Sequence, residues 1–343
     1  MSLLAVDEAG PATSVQDAGR FGALRYGLSS AGAMDRYALA AANVLVGQNA
    51  GAAAIEIGPF AARFAARAGA VRVALYGADR AATVGDRPVR LARSFVLQPG
   101  ETLALRAARG GTFTYLAVEG GIAGTPSFGS MSVHARAGLG SPIARALAAG
   151  DALDVGTTRT ERGEMQIAVV PFDGGPIRVV LGPQDDYFSP DEIAAFLAAE
   201  WRIAPASDRM GFRLDGPPIS AARGNNIVSD GIANGQIQIP GGGQPLVLLA
   251  DRGTTGGYPK IAGIVTADLG RFAQIQPGKP FRFQSVGIDA ARRLTCDWRM
   301  ALDGLAGRVV PLRGAEPSSE ALLAANLAGG AVSALDTDTW SHS

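Results

Sequence analysis

Short apolar runs separated by glycine and proline dominate the chain, and where a period can be read it is closer to two than to 3.6. Gln236 to Ile239 alternates polar and apolar positions, and Leu246 to Ala250 is continuously apolar. A turn glycine feeding an alternating strand recurs three times: Pro99-Gly100 before Glu101 to Leu105, Gly150 before Asp151 to Val155, and Pro277-Gly278 before Lys279 to Phe283. With few helices to cover a parallel sheet, the pattern predicts a mainly β protein of barrels or sandwiches. Two of the repeats fall in the first half and one near the end of the second, which suggests two related barrel-like units.

Helices are predicted at a few points. Ser189 as N-cap, Pro190 at the first helical position and Glu192 at the third precede the apolar positions Ile193, Phe196, Leu197 and Trp201. Asp35 to Val46 reads as an alanine-rich helix, with Asp35 most simply its N-cap and Gly47 its stop. Ile288 to Leu305 carries Leu294, Trp298 and Ala301 on one stripe, and the tail holds a short helix over Glu320 to Leu327. The polar segment Thr157 to Glu164 has no apolar period and suits a linker. The expected division is therefore residues 1–160, residues 165–312 and a helical tail over 313–343.

Composition narrows the function classes. The 343 residues are 47% hydrophobic and 18% charged with a formal net charge of zero, a globular profile with core enough for about two domains. No basic block or basic-aromatic stripe occurs, so nucleic acid and anionic membrane surfaces are not expected partners. No apolar run approaches the ~18 residues of a membrane span, and the N-terminus lacks a basic leader pattern, so the expectation is a soluble cytoplasmic protein. Cys296 is the only cysteine and is expected to be a buried, inert thiol. His134 and His342 are the only histidines, which leaves no multi-histidine metal centre and at most His134 for a nucleophile relay.

The chemistry that remains concentrates after Leu246 to Ala250. Asp251-Arg252 brings charge to the end of an apolar run, and Gly253-Thr254-Thr255-Gly256-Gly257 follows. Gly256 and Gly257 permit positive φ, so successive N–H groups are expected to converge on an anion, with the Thr254 and Thr255 hydroxyls as further donors. A tight β connection with a structural ion pair fits the same residues. Lys260 adds to the functional reading, because only two of the 31 lysine-plus-arginine residues are lysines, Lys260 and Lys279. An ammonium is a compact charge that loses its proton more readily on burial than a guanidinium does. Lys260, Arg252 and Asp251 are the catalytic candidates. Contacts to substrate or nucleotide are expected from Thr254, Thr255, Gly256, Gly257, Gln238 and Arg209, and from Gln16, Asp17 and Arg20 in the glycine-flanked segment Ser14 to Gly22. Arg209 and Arg213 would share one face if their segment were extended. Glu119, before Gly120-Gly121, reads either as an acid or as an exposed charge. No dinucleotide fingerprint or Walker loop is present.

Taken together, Ser14-Val15-Gln16-Asp17-Ala18-Gly19-Arg20, Gly32-Ala33-Met34-Asp35-Arg36, Asn43-Val44-Leu45-Val46-Gly47, Tyr115 to Gly121, Ser207-Asp208-Arg209-Met210-Gly211 and Asp251 to Lys260 resemble the family of 5-oxoprolinase C-type subunits. It is also called the KipA or biotin-dependent carboxyltransferase subunit family and is related to the urea carboxylase carboxyltransferase domain. The resemblance implies two cyclophilin-like β-barrel domains with a few peripheral helices. It further implies a complex with two other 5-oxoprolinase subunits, a KipI-like one of B type and one of A type. That complex uses ATP, with Mg2+ supplied through the complex, to cleave 5-oxoproline to glutamate. Two other activities lie within the family: carboxyl transfer from biotin carried on another chain, since no biotin attachment segment occurs here, and non-catalytic regulation through binding of a KipI-like kinase inhibitor. The chain departs from the family pattern at Gly129-Ser130-Met131-Ser132-Val133, where members commonly read Gly-Ser-Arg-Ser-Thr, and again at Ala137 to Pro142.

Overall fold

The computed structural model describes residues 2–158, 163–170 and 174–312; the expected tail helix Glu320 to Leu327 and residues 159–162 of the expected linker lie outside them. Three large sheets organise the described residues. The first has six strands in the spatial order Ala152–Val155, Ser2–Glu8, Ala62–Ala68, Thr102–Leu105, Ala82–Val84, Arg87–Val89. Ser2–Glu8 alternates buried and half-buried positions, as a strand with one face on a core should. The second has seven, in the order Ser14–Gln16, Ala54–Ile57, Gly110–Val118, Val71–Asp79, Arg93–Leu97, Met165–Gln166, Val310–Pro311. Its central strands Val71–Asp79 and Gly110–Val118 are buried at nearly every position. Both faces are covered: Leu75 and Leu116 belong to the core between the two sheets, whereas Tyr76, Tyr115 and Ala117 join a second core shared with the rest of the molecule. That two-sided burial explains why Tyr115 to Val118 reads as a run rather than an alternation.

The third sheet has eight strands in the order Pro280–Phe281, Trp201–Ile203, Gly211–Asp215, Leu246–Leu248, Gln236–Gln238, Lys260–Ile264, Ile177–Leu181, Phe283–Ser285. Its two edge strands are separated in the chain by Arg282 alone, so the sheet curls until its ends nearly meet, leaving a nearly closed barrel. The protein is thus mainly β, as expected. Met165–Gln166 and Val310–Pro311 add to the seven-stranded sheet, so the chain returns there after building the eight-stranded one.

Among the described residues four α-helices sit around these sheets: α1 Arg36–Leu45, α2 Pro190–Ala198, α3 Leu269–Ala273 and α4 Ile288–Asp303. Asp35 caps α1 by accepting from the N–H groups of Tyr37 and Ala38, and the Ser189 side chain caps α2 by accepting from Glu192. α1 is buried along most of its length because it fills the space between the seven-stranded sheet and the eight-stranded barrel. Trp201, expected at the end of α2, instead opens a strand; its indole N–H bonds the Phe196 carbonyl at 3.0 Å and its ring packs on Phe196. Cys296 is exposed, contrary to expectation, because the inward stripe of α4 is Leu294, Trp298 and Ala301 and Cys296 lies off it. Glu119 is buried and paired with buried Arg72 at 3.4 Å, so it is not an exposed charge. Gly120 follows it with φ +77°, and a Cβ there would lie 2.6 Å from the Gly156 Cα, so the two chain segments meet where only glycine fits.

Candidate functional site

Two clusters gather the expected site residues. The first lies in the seam where α1 and the seven-stranded sheet meet the eight-stranded barrel. Arg209 sits in the turn between the bridge partners Asp208 and Gly211, not in a strand, so it does not share a face with exposed Arg213. Its guanidinium donates to Asp251 at 2.9 and 3.1 Å, to the Gly32 carbonyl at 2.7 Å, and to Glu56 on the strand Ala54–Ile57. Asp251 therefore pairs with Arg209 rather than with its neighbour Arg252. Glu56 is fully buried, and its other oxygen accepts from the Tyr115 hydroxyl at 2.6 Å and the Met34 N–H at 2.8 Å. Tyr115 Oη in turn accepts from the Asp35 N–H at 2.8 Å. Burial lifts the Glu56 pKa above the usual carboxylate value despite these donors and the Arg209 charge. Burial also opposes the charge on Arg209, but Glu56 and Asp251 outweigh it and hold the guanidinium more firmly protonated than usual.

Gln274, just beyond α3, closes the seam from the other side. Its amide oxygen accepts from Thr112 and Phe113 N–H at 2.7 and 2.8 Å, and its amide nitrogen donates to Asp35 and the Phe113 carbonyl at 3.0 and 2.9 Å. Every donor and acceptor of that amide is used, which makes the seam a specified polar contact between the seven-stranded sheet with α1 and the eight-stranded barrel. A cavity of about 570 Å³ opens beside it, lined by His134, Arg136, Asp208, Arg209, Asp251 and Phe60 among others. Such a volume suits a small molecule.

The N-terminal segment underlies the same region. Asp17 accepts from Gly19 N–H at 2.8 Å, Ser130 Oγ at 2.7 Å, Met131 N–H at 2.6 Å and Ser132 Oγ. Arg20, also buried, donates to the Ser127 and Ser132 carbonyls at 3.1 and 3.0 Å. The segment that departs from the family pattern is thus the one strapped to Asp17 and Arg20. Burial lowers the Arg20 pKa, and nearby Asp17 and Asp251 oppose that shift. Arg20 Nη1 and Gln16 Oε1 are buried with no hydrogen-bond partner among the described residues.

The second cluster surrounds Lys260. Its amine is fully buried and donates to Asp230 Oδ2 at 3.0 Å, while the Asp230 side chain itself is half exposed. Lys260 holds the Asp230 carboxyl below the usual range, helped by the Gly231 N–H. Arg252 Nε donates to the Ile232 carbonyl at 3.0 Å, so both cations grip the same short segment. Burial lowers the Arg252 pKa. Thr255–Gly256 pairs with Asp230–Gly231 as a two-stranded ribbon, and the carbonyls of Thr254 and Gly257 accept from Ile232 and Ile227. Neither Gly256 nor Gly257 takes the positive φ that glycine permits. The use of glycine at 256 is close approach: a Cβ there would lie 2.6 Å from Gln238 Nε2, which also donates to the Tyr258 carbonyl at 3.4 Å. Lys260, Arg252 and Gln238 line neither the seam cavity nor a larger cavity of about 1060 Å³ near α3 and α4.

Sequence reasoning missed Glu56, Gln274 and Asp230. Glu56 carried one usable signal, a lone carboxylate in the apolar stretch Ala52 to Ile57. The other two had none, since their importance comes from partners distant in sequence.

A model of the family described as carboxyltransferase domain, subdomain A and B, matches residues 26–285. The C subunit of the 5-oxoprolinase of Escherichia coli (strain K12) is 36% identical over 309 residues, covering 90% of this chain and 99% of that protein. Among solved structures, TTHA0988 is 33% identical with a TM-score of 0.75 over 83% of this chain. The Kluyveromyces lactis urea carboxylase is 25% identical with a TM-score of 0.80 over 91% of it. This chain spans 56% of the TTHA0988 chain and 30% of the urea carboxylase. Sequence and backbone agree, and the chain belongs to the carboxyltransferase-domain family that includes the C subunit of 5-oxoprolinase.

Proposed function

We propose that the chain is the C-type subunit of an ATP-dependent 5-oxoprolinase, which opens 5-oxoproline to glutamate together with a KipI-like B-type subunit and an A-type one. The observation that carries the reading is the nearly end-to-end match to the E. coli protein, 99% of which is covered. A lactam is a poor electrophile until its oxygen is made a leaving group, and phosphorylation by ATP does that. The negative charge that develops on the transferring phosphoryl group and lactam oxygen calls for fixed cations. Arg209 and Asp251, which line the seam cavity, are our candidates to orient the substrate, and Lys260 with Arg252, in the separate cluster outside that cavity, are our candidates to neutralise phosphoryl charge once Asp230 is displaced. ATP, with the Mg2+ that travels with it, is taken to be bound by the assembled complex.

The test is 5-oxoproline-dependent ATP hydrolysis by the three purified proteins, with omission of this chain as the control. Turnover that requires all three is expected; none with any lactam, in an assembled complex, contradicts the reading. The family match to carboxyltransferase domains favours one alternative, carboxyl transfer from biotin borne by another chain. Biotin-dependent carboxylation of an amide without 5-oxoproline turnover would decide for it. If the chain instead regulates by sequestering a KipI-like inhibitor, Lys260→Ala leaves that binding intact.

A further inference from the structure

Two adjoining loops present large apolar side chains to solvent on a rigid base. Phe21, Leu24, Tyr26 and Phe128 are 63%, 48%, 59% and 55% exposed. The turn Leu24–Tyr26 contributes no buried residue at all. Tyr26 and Phe128 touch, with ring centroids 5.9 Å apart, and the guanidinium groups of Arg25 and Arg36 lie 4.9 Å above the rings of Tyr26 and Phe21. The base is held from beneath: Arg20 ties the first loop to Ser127 and Ser132 of the second, its N–H bonds the Ser30 carbonyl at 2.6 Å, and Arg36 bonds the Ala18 carbonyl at 2.8 Å. These side chains are thus held on a fixed base with about half or more of each in solvent.

We propose that this surface docks a second protein whose contact face is an apolar cleft rimmed by acidic side chains, and, resting on the reading above, that this protein is the KipI-like B-type subunit. Charge complementarity selects that chemistry. Arg25 and Arg36 make no ion pair among the described residues; Arg299 lies close enough to Arg36 to repel it, and buried Asp17 attracts it more weakly. Three like charges beside exposed aromatics disfavour a second copy of the same face and favour an acidic partner. Aromatic rings interleaved with arginine are also the side chains that dominate interface energetics.

The experiment is calorimetric titration of the purified KipI-like protein into the wild-type chain and into Leu24→Asp, Tyr26→Asp and, as a control, Ile288→Asp at an exposed site on α4. Each variant's thermal midpoint is measured first. Affinity is expected to fall by about tenfold or more in Leu24→Asp and Tyr26→Asp with the midpoint unchanged, and to hold in Ile288→Asp. Wild-type affinity should also weaken as salt is raised. Unchanged binding in both variants, absence of any wild-type complex with the KipI-like protein, or light scattering showing that the patch instead joins two copies of this chain would overturn the proposal. Turnover on 5-oxoproline separates the two readings: a patch-dependent complex that is inactive on every lactam leaves the docking intact and removes the enzymatic reading, whereas an active complex that assembles equally well from the variants does the reverse.

Discussion

Lys260 shows how far a residue's rarity can guide and where it stops. A buried amine whose partner is a half-exposed carboxylate on a two-stranded ribbon is a cation with a replaceable counter-ion. An incoming oxyanion can take the place of Asp230 with little further desolvation, since Lys260 is already out of water. Lys260→Met should therefore lower turnover of the assembled enzyme by about 10²-fold or more, a loss comparable to deleting an oxyanion donor. Asp230→Asn, which removes the competing charge, should keep turnover and lower KM for the anionic substrate. Steady-state kinetics on both variants check this; equal losses in both would mean that the pair only pins the ribbon. The choice of lysine was legible in the sequence, but Asp230 was not, because the two are 30 residues apart and meet only through the ribbon.

At the level of elements, α3 is set by Asp268. That fully buried carboxylate accepts from Arg178 N–H and Nε at 2.8 Å each and pairs with Arg271 at 3.2 Å, which orients the short helix that delivers Gln274 to the seam. Burial pushes the Asp268 pKa up, but the Arg178 hydrogen bonds and the Arg271 charge outweigh it and leave it below the ordinary value. A depressed folded-state pKa contributes stability that is present above the unfolded pKa of about 3.9 and lost as pH falls through the folded value. Asp35 and Glu56, whose pKa values burial raises, act in the opposite sense: what they contribute is present at low pH and lost as pH rises. Asp268→Asn should cost about 3 kcal/mol at neutral pH and flatten the acid limb of the stability profile, read by denaturant titration from about pH 3 to 7. An unaltered acid limb would show that Asp268 does not set it. Element types were well marked in the sequence, because Ser189-Pro190 and Asp35 carry their own capping chemistry. Element faces were less so: the stripe of α4 predicted a helix correctly, yet Cys296 was assigned to the wrong side of it.

For the molecule as a whole, the decisive structure is the seam. Arg209 joins Glu56, 153 residues away in the chain, to Asp251, 42 residues away, so one guanidinium ties the seven-stranded sheet to the eight-stranded barrel. Such pairing leaves no local pattern, which is why Arg209 was recognisable as a candidate but its partners were not. Arg209→Met leaves Glu56 buried without its cation and should cost about 3–5 kcal/mol. It should also split a single cooperative denaturation into two steps as the two sheet systems uncouple, visible by comparing tryptophan fluorescence with circular dichroism. Coincident transitions with little loss of stability would contradict that role. The mainly β architecture was readable from turn glycines and strand period, whereas the continuity of one core across both sheet systems follows only from the burial of Val71–Asp79 and Gly110–Val118 on both faces. On the proposed reading, the seam serves an assembly that opens a lactam at the expense of ATP. Release of phosphate from ATP by the three mixed proteins, with and without 5-oxoproline, tests it most directly. Phosphate and glutamate released in equal amounts only when this chain is present would bear the account out; ATP hydrolysis indifferent to 5-oxoproline, or to the presence of this chain, would contradict it.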